Sequence, residues 1–490
     1  MSPRGKYGGD ICAIYVHAGA GFHSYQNEQL HLEACNDAAK VAMALLKNGS
    51  SALDAVEGAL RLMEDREITN AGYGSNLTAH GTVECDATIV DHMGRSGAVG
   101  ACSHIKNPIS VARLILDSQN KPLSLQRVPP NFLVGQGATD FAYDHGLPIV
   151  PDDFLVSATA KSRWMRWQHE LEAAQDPYSP DKNAQSDETS TSSANPIATI
   201  NPAMLMTPPT SLHDRNNRKD QDDPPDHGNL AQQETAPSTG DGVDKCFQGG
   251  GQDITPSSAH NAPLSFTKET DEMHLQTEDG NIGSIVPSGG EEPGDKITDT
   301  IGAIAVDSYG KIAAGSSSGG IGMKHRGRIG PAALIGIGTA IIPVDALDPE
   351  QTSVAVVTSG TGEHIATSLA ASTCANRIYF SDRKDENGMT ENVTEEEAIK
   401  SMIDKDFLEH PGVKNSFCEA AIGVMAVKKM KDGIYLFFCH NTDSFALSSM
   451  TSEDKKPRCV MSRRARQGTT AQGGRFSRSR RSKSRSHGTE

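Results

Sequence analysis

The chain has 490 residues, with 62 acidic and 46 basic side chains for a net charge of −16. That length admits two or three domains. The longest apolar stretch, residues 331–344, is broken by glycine and too short to span a bilayer, so no membrane partner is expected.

In chain order, residues 1–10 contain no apolar core of a secretory signal. Residues 11–16 read as an apolar strand running into His17-Ala-Gly-Ala-Gly21. Residues 31–47 read as a helix stopped by Asn48-Gly49, with glycine just past the helix end. Ser50 or Ser51 caps a second helix that buries Leu53, Val56, Leu60 and Met63 at three- and four-residue spacing. A glycine-rich loop, Gly72-Tyr-Gly-Ser75, precedes a strand at 83–90 and a turn at 91–95. This first ordered block ends near residue 171.

Residues 172–295 carry 22 acidic against 6 basic side chains, which is the entire net charge, and three aromatics (Tyr178, Phe247, Phe266). Such a composition buries too little apolar surface to offset chain entropy, so a long disordered insert is expected. The second block, about 296–454, opens with a hairpin: strands at 301–306 and 311–314 around a turn at 307–310. Strands recur at 353–358 and 434–439, with helical stretches at 363–371 and 395–403. Neither block carries a strand set that closes alone, so the two are expected to form one folded domain. Residues 455–490 hold 12 Lys+Arg and one acid, Glu490, and read as a basic Arg/Ser tail. Phe476 stands alone there, giving no aromatic platform, and specific nucleic-acid binding is not expected. Nine cysteines without close pairing or zinc spacing suggest a reducing compartment, hence an intracellular protein of cytoplasm or nucleus.

The chemistry concentrates at Asp299-Thr300, where the acidic insert meets a buried-type strand. If that bond is cut, Thr300 gains a free amine beside its own hydroxyl. A threonine hydroxyl needs a base to become a nucleophile, and its own terminal amine is one solution. Downstream lie three glycine-dense segments: Gly315-Ser-Ser-Ser-Gly-Gly320, Lys324-His-Arg-Gly-Arg-Ile-Gly330 and Thr358-Ser-Gly-Thr-Gly-Glu363. Each alone is ordinary turn chemistry. Together they supply hydroxyls (Ser318, Ser359, Thr361), backbone N–H groups and Arg328, the parts for holding a carboxylate and stabilising an oxyanion.

These segments resemble the type-2 asparaginases among the N-terminal nucleophile hydrolases, and within them the threonine-aspartase (taspase) branch. The likeness extends to His17-Ala-Gly-Ala-Gly-Phe-His-Ser24, Thr69-Asn-Ala-Gly-Tyr-Gly-Ser-Asn-Leu77, Glu84-Cys-Asp-Ala-Thr-Ile-Val-Asp91, Gly97-Ala-Val-Gly100, Lys106-Asn-Pro-Ile-Ser-Val-Ala112 and Pro129-Pro-Asn-Phe-Leu-Val-Gly135. It implies an α+β fold, a four-layer αββα sandwich interrupted by the insert. It also implies self-cleavage at Asp299–Thr300 into an α subunit (1–299) and a β subunit (300–490). By motif position, Thr300 is the nucleophile and Ser318 its catalytic neighbour. Arg328 holds a substrate carboxylate, Ser359 and Gly360 serve the oxyanion, Thr361 and Gly362 complete the substrate wall, and Asn70 faces the leaving side. The resemblance implies no metal and no organic cofactor. It also implies αβ units that self-associate into a higher homo-oligomer.

Two departures separate the branches. Small-molecule asparaginases carry an aspartate three residues beyond the arginine to bind a substrate ammonium; here that place is Pro331. They have glycine before the nucleophile, where this chain has Asp299. Both changes favour a threonine-type endopeptidase that cleaves protein substrates after an internal aspartate. The alternatives are an L-asparaginase or isoaspartyl peptidase acting on small β-aspartyl substrates, and a non-enzymatic scaffold. Asp241-Gly242 and Asp279-Gly280 are candidate secondary cuts.

Overall fold

The computed structural model of the chain describes residues 11–175, 274–277 and 299–478. The candidate secondary cuts, most of the 172–295 insert and the Arg/Ser run beyond 478 lie outside the described residues.

The elements are, in order, β1 (Ala13–Gly21), α1 (Glu28–Lys47), α2 (Ala52–Glu64), β2 (Cys85–Val90), β3 (Ser96–Cys102), α3 (Pro108–Ser118), β4 (Phe132–Val134), α4 (Gly135–Asp144), α5 (Ala158–Gln175), β5 (His274–Thr277), β6 (Ile301–Val306), β7 (Ile312–Ser318), β8 (Thr339–Ile342), β9 (Ser353–Gly360), α6 (Gly362–Thr367), α7 (Ala370–Phe380), β10 (Asp382–Lys384), β11 (Thr390–Asn392), α8 (Glu395–Ser401), β12 (Ile422–Lys429), β13 (Gly433–His440), β14 (Ser444–Thr451), β15 (Arg458–Arg463) and β16 (Ala471–Arg478).

Local chemistry explains several boundaries. Ser51, not Ser50, caps α2: its hydroxyl accepts from Asp54 N at 3.2 Å while Ser51 N donates to the Asp54 carboxylate at 3.0 Å. A reciprocal cap of this kind contributes about 1 kcal/mol. In the β6–β7 turn, the Asp307 side chain accepts from Tyr309 N and Lys311 N, and Gly310 takes the left-handed conformation at φ +72°. Such a conformation favours glycine. The stretch 363–371, read as one helix, is two. The Ser368 hydroxyl donates to the His364 carbonyl and Leu369 adopts φ +51°, which ends α6 and redirects the chain into α7.

Two sheets result. The first has eight strands in the order β15-β14-β1-β6-β7-β2-β3-β4, the second six, β5-β16-β13-β12-β9-β8. Strands from before and after the insert interleave in the first sheet: β1 pairs with β14 on one side and β6 on the other. Alternation of side chains along each strand assigns the faces. Ala13 and Tyr15 of β1 join Ile304, Val357, Met425 and Phe438 in a core between the sheets. Ile14 and Val16 instead pack with Ala38, Val56 and Leu60 of α1 and α2. Val356 and Val424 face Cys374 and Ile378 of α7 and Ile399 of α8. The layers therefore run helix, sheet, sheet, helix. Among the described residues no helix is long and apolar enough to cross a membrane.

The second block does not end at residue 454. β15 adds to β14 and β16 to β13. Among the described residues, several arginines of this region are paired. Arg475, buried in β16, places its guanidinium 2.8 Å from both Asp454 oxygens. Arg463 meets Glu28 at 2.6 Å and Arg464 meets Asp443 at 2.6 Å. Phe476 stacks on Tyr435 with ring centroids 4.5 Å apart. Within the segment read as unfoldable, β5 extends the second sheet beside β16. Strand addition of this kind rests on main-chain hydrogen bonds, which composition does not report.

One buried carboxyl bridges the helix–sheet interface. Glu64 at the end of α2 accepts from Ile109 N at 3.1 Å and from the Ser317 hydroxyl of β7 at 2.7 Å. Burial pushes its carboxyl up from 4.5 to about 8. Between those values the unfolded chain ionises and the folded chain does not, so folding stability declines as pH rises, by up to about 1.4 kcal/mol per pH unit. Glu64→Gln keeps an acceptor oxygen and removes the titration. Denaturant midpoints are therefore expected to favour the variant over wild type more at pH 8 than at pH 5; a constant difference refutes this.

Candidate active site

The Asp299–Thr300 peptide leads into β6 at the centre of the first sheet. β6 pairs with β7 in the register Ile301↔Ser317, so one step further places Thr300 level with Ser318. Both Asp299 and Thr300 are buried, 3% and 6% exposed. The Ser359 hydroxyl, at the end of β9 in the second sheet, accepts from Thr300 N at 3.1 Å and from Ala20 N of β1 at 3.1 Å. One side chain thus ties the candidate nucleophile's nitrogen to both sheets.

The Asp299 side chain fills a cradle in β1. A Cβ on Gly19 or on Gly21 would collide with the Asp299 side chain, and Gly19 also sits at φ +106°. The glycine spacing of the His17-Ala-Gly-Ala-Gly21 motif is therefore the room that this aspartate occupies. His23 Nε2 lies 3.1 Å from Asp299 Oδ2. His17 is buried below Gly302, whose missing Cβ admits its ring. Desolvation pushes the imidazole down to about 3, opposed by a hydrogen bond that the ring donates to the Thr300 backbone, so His17 is neutral here.

After β7 the chain turns through Gly319 and Gly320. The Ser318 hydroxyl accepts from Gly320 N at 3.0 Å. Asn70 braces the same turn: its carbonyl accepts from Gly319 N at 2.7 Å, its amide donates to Gly320 O at 2.8 Å, and its side-chain oxygen accepts from Asn76 N at 2.9 Å. These bonds make Asn70 a holder of the turn. Lys324, buried, donates to Gly319 O at 2.9 Å and to Glu84 O.

Arg328 reaches the same region from the following loop. Its Nε and Nη2 donate to Glu363 Oε1 at 3.0 and 2.8 Å, and its side chain is 15% exposed against 61% for Glu363. Glycine at 362 is what lets the guanidinium and Pro331 approach, since a Cβ there would lie 2.6 Å from Nη2 and 2.8 Å from the proline ring. Asp86 of β2 holds the loop from below, accepting from Gly330 N at 2.7 Å and Ala101 N at 2.8 Å. Burial raises its carboxyl, against the pull of Lys324 and Arg328.

Gly360 and Thr361 are placed by packing. Gly360 has φ +140°, and a Cβ there would strike the Ala421 carbonyl. Thr361 donates through N to Ala421 O at 2.8 Å and through its hydroxyl to Glu419 O at 2.7 Å. Both fix the start of α6 against the segment leading into β12. Thr300, Ser318 and Ser359 thus converge, Arg328 with Gly362 forms an adjoining charged wall, and Asn70, Gly360 and Thr361 frame the site. Five residues here carried no assigned role in the sequence reading: Gly19, Gly21, His23, Asp86 and Lys324. The usable signal was Asp86, a charged residue inside a run of buried-type strand residues.

The helix–sheet–sheet–helix sandwich, with a buried Asp-Thr junction at the head of a central strand, has the fold of the N-terminal nucleophile hydrolases. The chain belongs to the asparaginase family, whose profile matches residues 11–201 and 256–406. Curated relatives are named isoaspartyl peptidase/L-asparaginase. The human protein is 40% identical over 159 residues, covering 32% of this chain and 49% of the relative. The Xenopus laevis protein is 38% identical over 154 residues (31% and 47%), and that of Rattus norvegicus 37% over 161 residues (33% and 46%). The matched segments thus span a little under half the length of these relatives.

Proposed function

We propose that this chain is a self-processing threonine-nucleophile hydrolase that cuts itself between Asp299 and Thr300 and then cleaves polypeptides after aspartate. The observation that carries the reading is the fitted, buried seat of the Asp299 side chain immediately before Thr300. Pro331 supports it, because it offers a substrate ammonium no charge at the place where small-molecule asparaginases carry aspartate.

In the intact chain the Thr300 hydroxyl adds to the Asp299 carbonyl, its proton passing to the Asp299 carboxylate. Breaking the C–N bond, with a proton delivered to nitrogen, leaves an ester that water hydrolyses. The new amine remains where Ser359 already holds the Thr300 nitrogen. With an ordinary pKa of about 8 for such an amine, part of it is neutral at pH 7 and can take the hydroxyl proton in later turnovers. Arg328 exchanges Glu363 for the substrate carboxylate, and Ser318 steadies the hydroxyl. The processed α and β segments stay together, since their strands interleave in one sheet.

The second reading is hydrolysis of small β-aspartyl substrates. The names of the curated relatives favour it, as does Glu363, an exposed carboxylate beside Arg328 that can receive a substrate ammonium. Hydrolysis rates of a peptide with an internal Asp-Gly bond, of free asparagine and of a β-aspartyl dipeptide decide between them. Faster turnover of the internal bond is expected; faster turnover of either small molecule transfers the assignment to the second reading.

A further inference from the structure

The surroundings of Asp299 contain a buried histidine that the scheme above does not use. His23 Nε2 is 3.1 Å from Asp299 Oδ2, and both side chains are withdrawn from solvent. On its other side, His23 Nδ1 lies 2.8 Å from the Ser444 hydroxyl at the start of β14, which also accepts from His23 N at 2.9 Å and lies 3.2 Å from Gly21 O. Ser444 therefore ties the imidazole to the strand that forms the Asp299 cradle.

The hydrogen bookkeeping of this pair is restrictive. With the Ser444 proton on Gly21 O, both of its lone pairs receive His23 donors, so Nδ1 is protonated. Nε2 then meets Asp299 either as imidazolium facing carboxylate or as an acceptor from the carboxylic acid. With the Ser444 proton turned to Nδ1 instead, Nε2 is the ring nitrogen that carries hydrogen, and it faces the Ala18 carbonyl at 3.4 Å as well as Asp299 Oδ2 at 3.1 Å. Facing two lone pairs is avoided only when a proton lies between Nε2 and Oδ2. The second carboxylate oxygen, Oδ1, is buried without a hydrogen-bond partner among the described residues. One oxygen of Asp299 is clamped and the other is unengaged.

We propose that His23 is a positioning residue for self-cleavage: it grips Asp299 Oδ2 so that Oδ1 is the oxygen presented to the Thr300 hydroxyl proton. The proposal rests on the self-processing reading. It assigns His23 to the first cut alone, because hydrolysis of the ester frees Asp299 from the nucleophile. A misplacement of about 1 Å in such a group costs on the order of 100-fold in rate.

The test is the rate at which the full chain splits after synthesis in a cell-free system, followed on denaturing gels for wild type, His23→Asn and His23→Gln. Asparagine places its amide near the Nδ1 position and keeps the Ser444 contact but cannot reach Asp299. Glutamine reaches the Nε2 position. The expected result is cleavage slowed about 100-fold in His23→Asn and within about threefold of wild type in His23→Gln. A merely structural role anchored on Ser444 reverses that order and overturns the proposal, as do equal rates in the two variants. Wild type that never splits refutes the self-processing reading itself, a separate outcome visible in the same gel.

Discussion

Replacing Thr300 by alanine leaves the chain at its full 490 residues and without hydrolytic activity, while wild type resolves into fragments of residues 1–299 and 300–490. The effect is total because one side chain performs two reactions: its hydroxyl attacks the Asp299 carbonyl, and after scission its amine becomes the base for the next attack. The fold should tolerate the change. Thr300 contacts Ser359 through its backbone nitrogen, which alanine retains, and only a small side chain is lost. Denaturing electrophoresis with N-terminal analysis of the smaller fragment checks this. An uncut wild-type chain with full activity, or a fragment starting anywhere but Thr300, removes the basis of the scheme.

Arg328→Ala is expected to lower the turnover of Asp-containing peptides by about 100-fold while leaving unfolding almost unchanged. The two halves of that expectation come from different magnitudes. In the free protein Arg328 pairs with Glu363, which is 61% exposed, and a pair of that kind contributes roughly 0–1 kcal/mol to stability. A substrate carboxylate held by the same fork gains charge-assisted bonds of about 1.5–3 kcal/mol each, and a tenfold rate corresponds to about 1.4 kcal/mol. Glu363→Ala, which frees the guanidinium, should lower KM for such peptides if Glu363 competes with substrate, and raise it for small substrates bearing an ammonium. Equal peptide turnover by wild type and Arg328→Ala would take the arginine out of the site.

Much of the architecture was legible before any coordinates. The helix over α1, the capped start of α2, the β6–β7 hairpin and the strands β2, β9 and β13 follow periodicity, capping and turn residues. Strands β12, β14, β15 and β16 did not. β14 alternates small and hydroxylated residues with apolar ones, and β16 buries Ala471, Gly473, Arg475 and Ser477, a pattern with little hydrophobic contrast. Arg475 is acceptable there only because Asp454, distant along no simple sequence period, lies opposite. The break at Leu369 was equally invisible, since a left-handed leucine has no composition signal.

For the site, the residue types and their order were written along the chain: a threonine after aspartate at the mouth of a buried strand, hydroxyls and an arginine set among glycines. Their employment was not. Asn70 and Thr361 turned out to secure turns, while Gly19, Gly21 and His23 proved to surround Asp299. Local rules reach only a few residues, because capping, alternation and turn geometry depend on near neighbours. Which hydroxyl meets which nitrogen depends on strand register and on two sheets closing over one core. Ser359 binding both Ala20 and Thr300, across more than three hundred residues in one case, is a consequence of that closure alone.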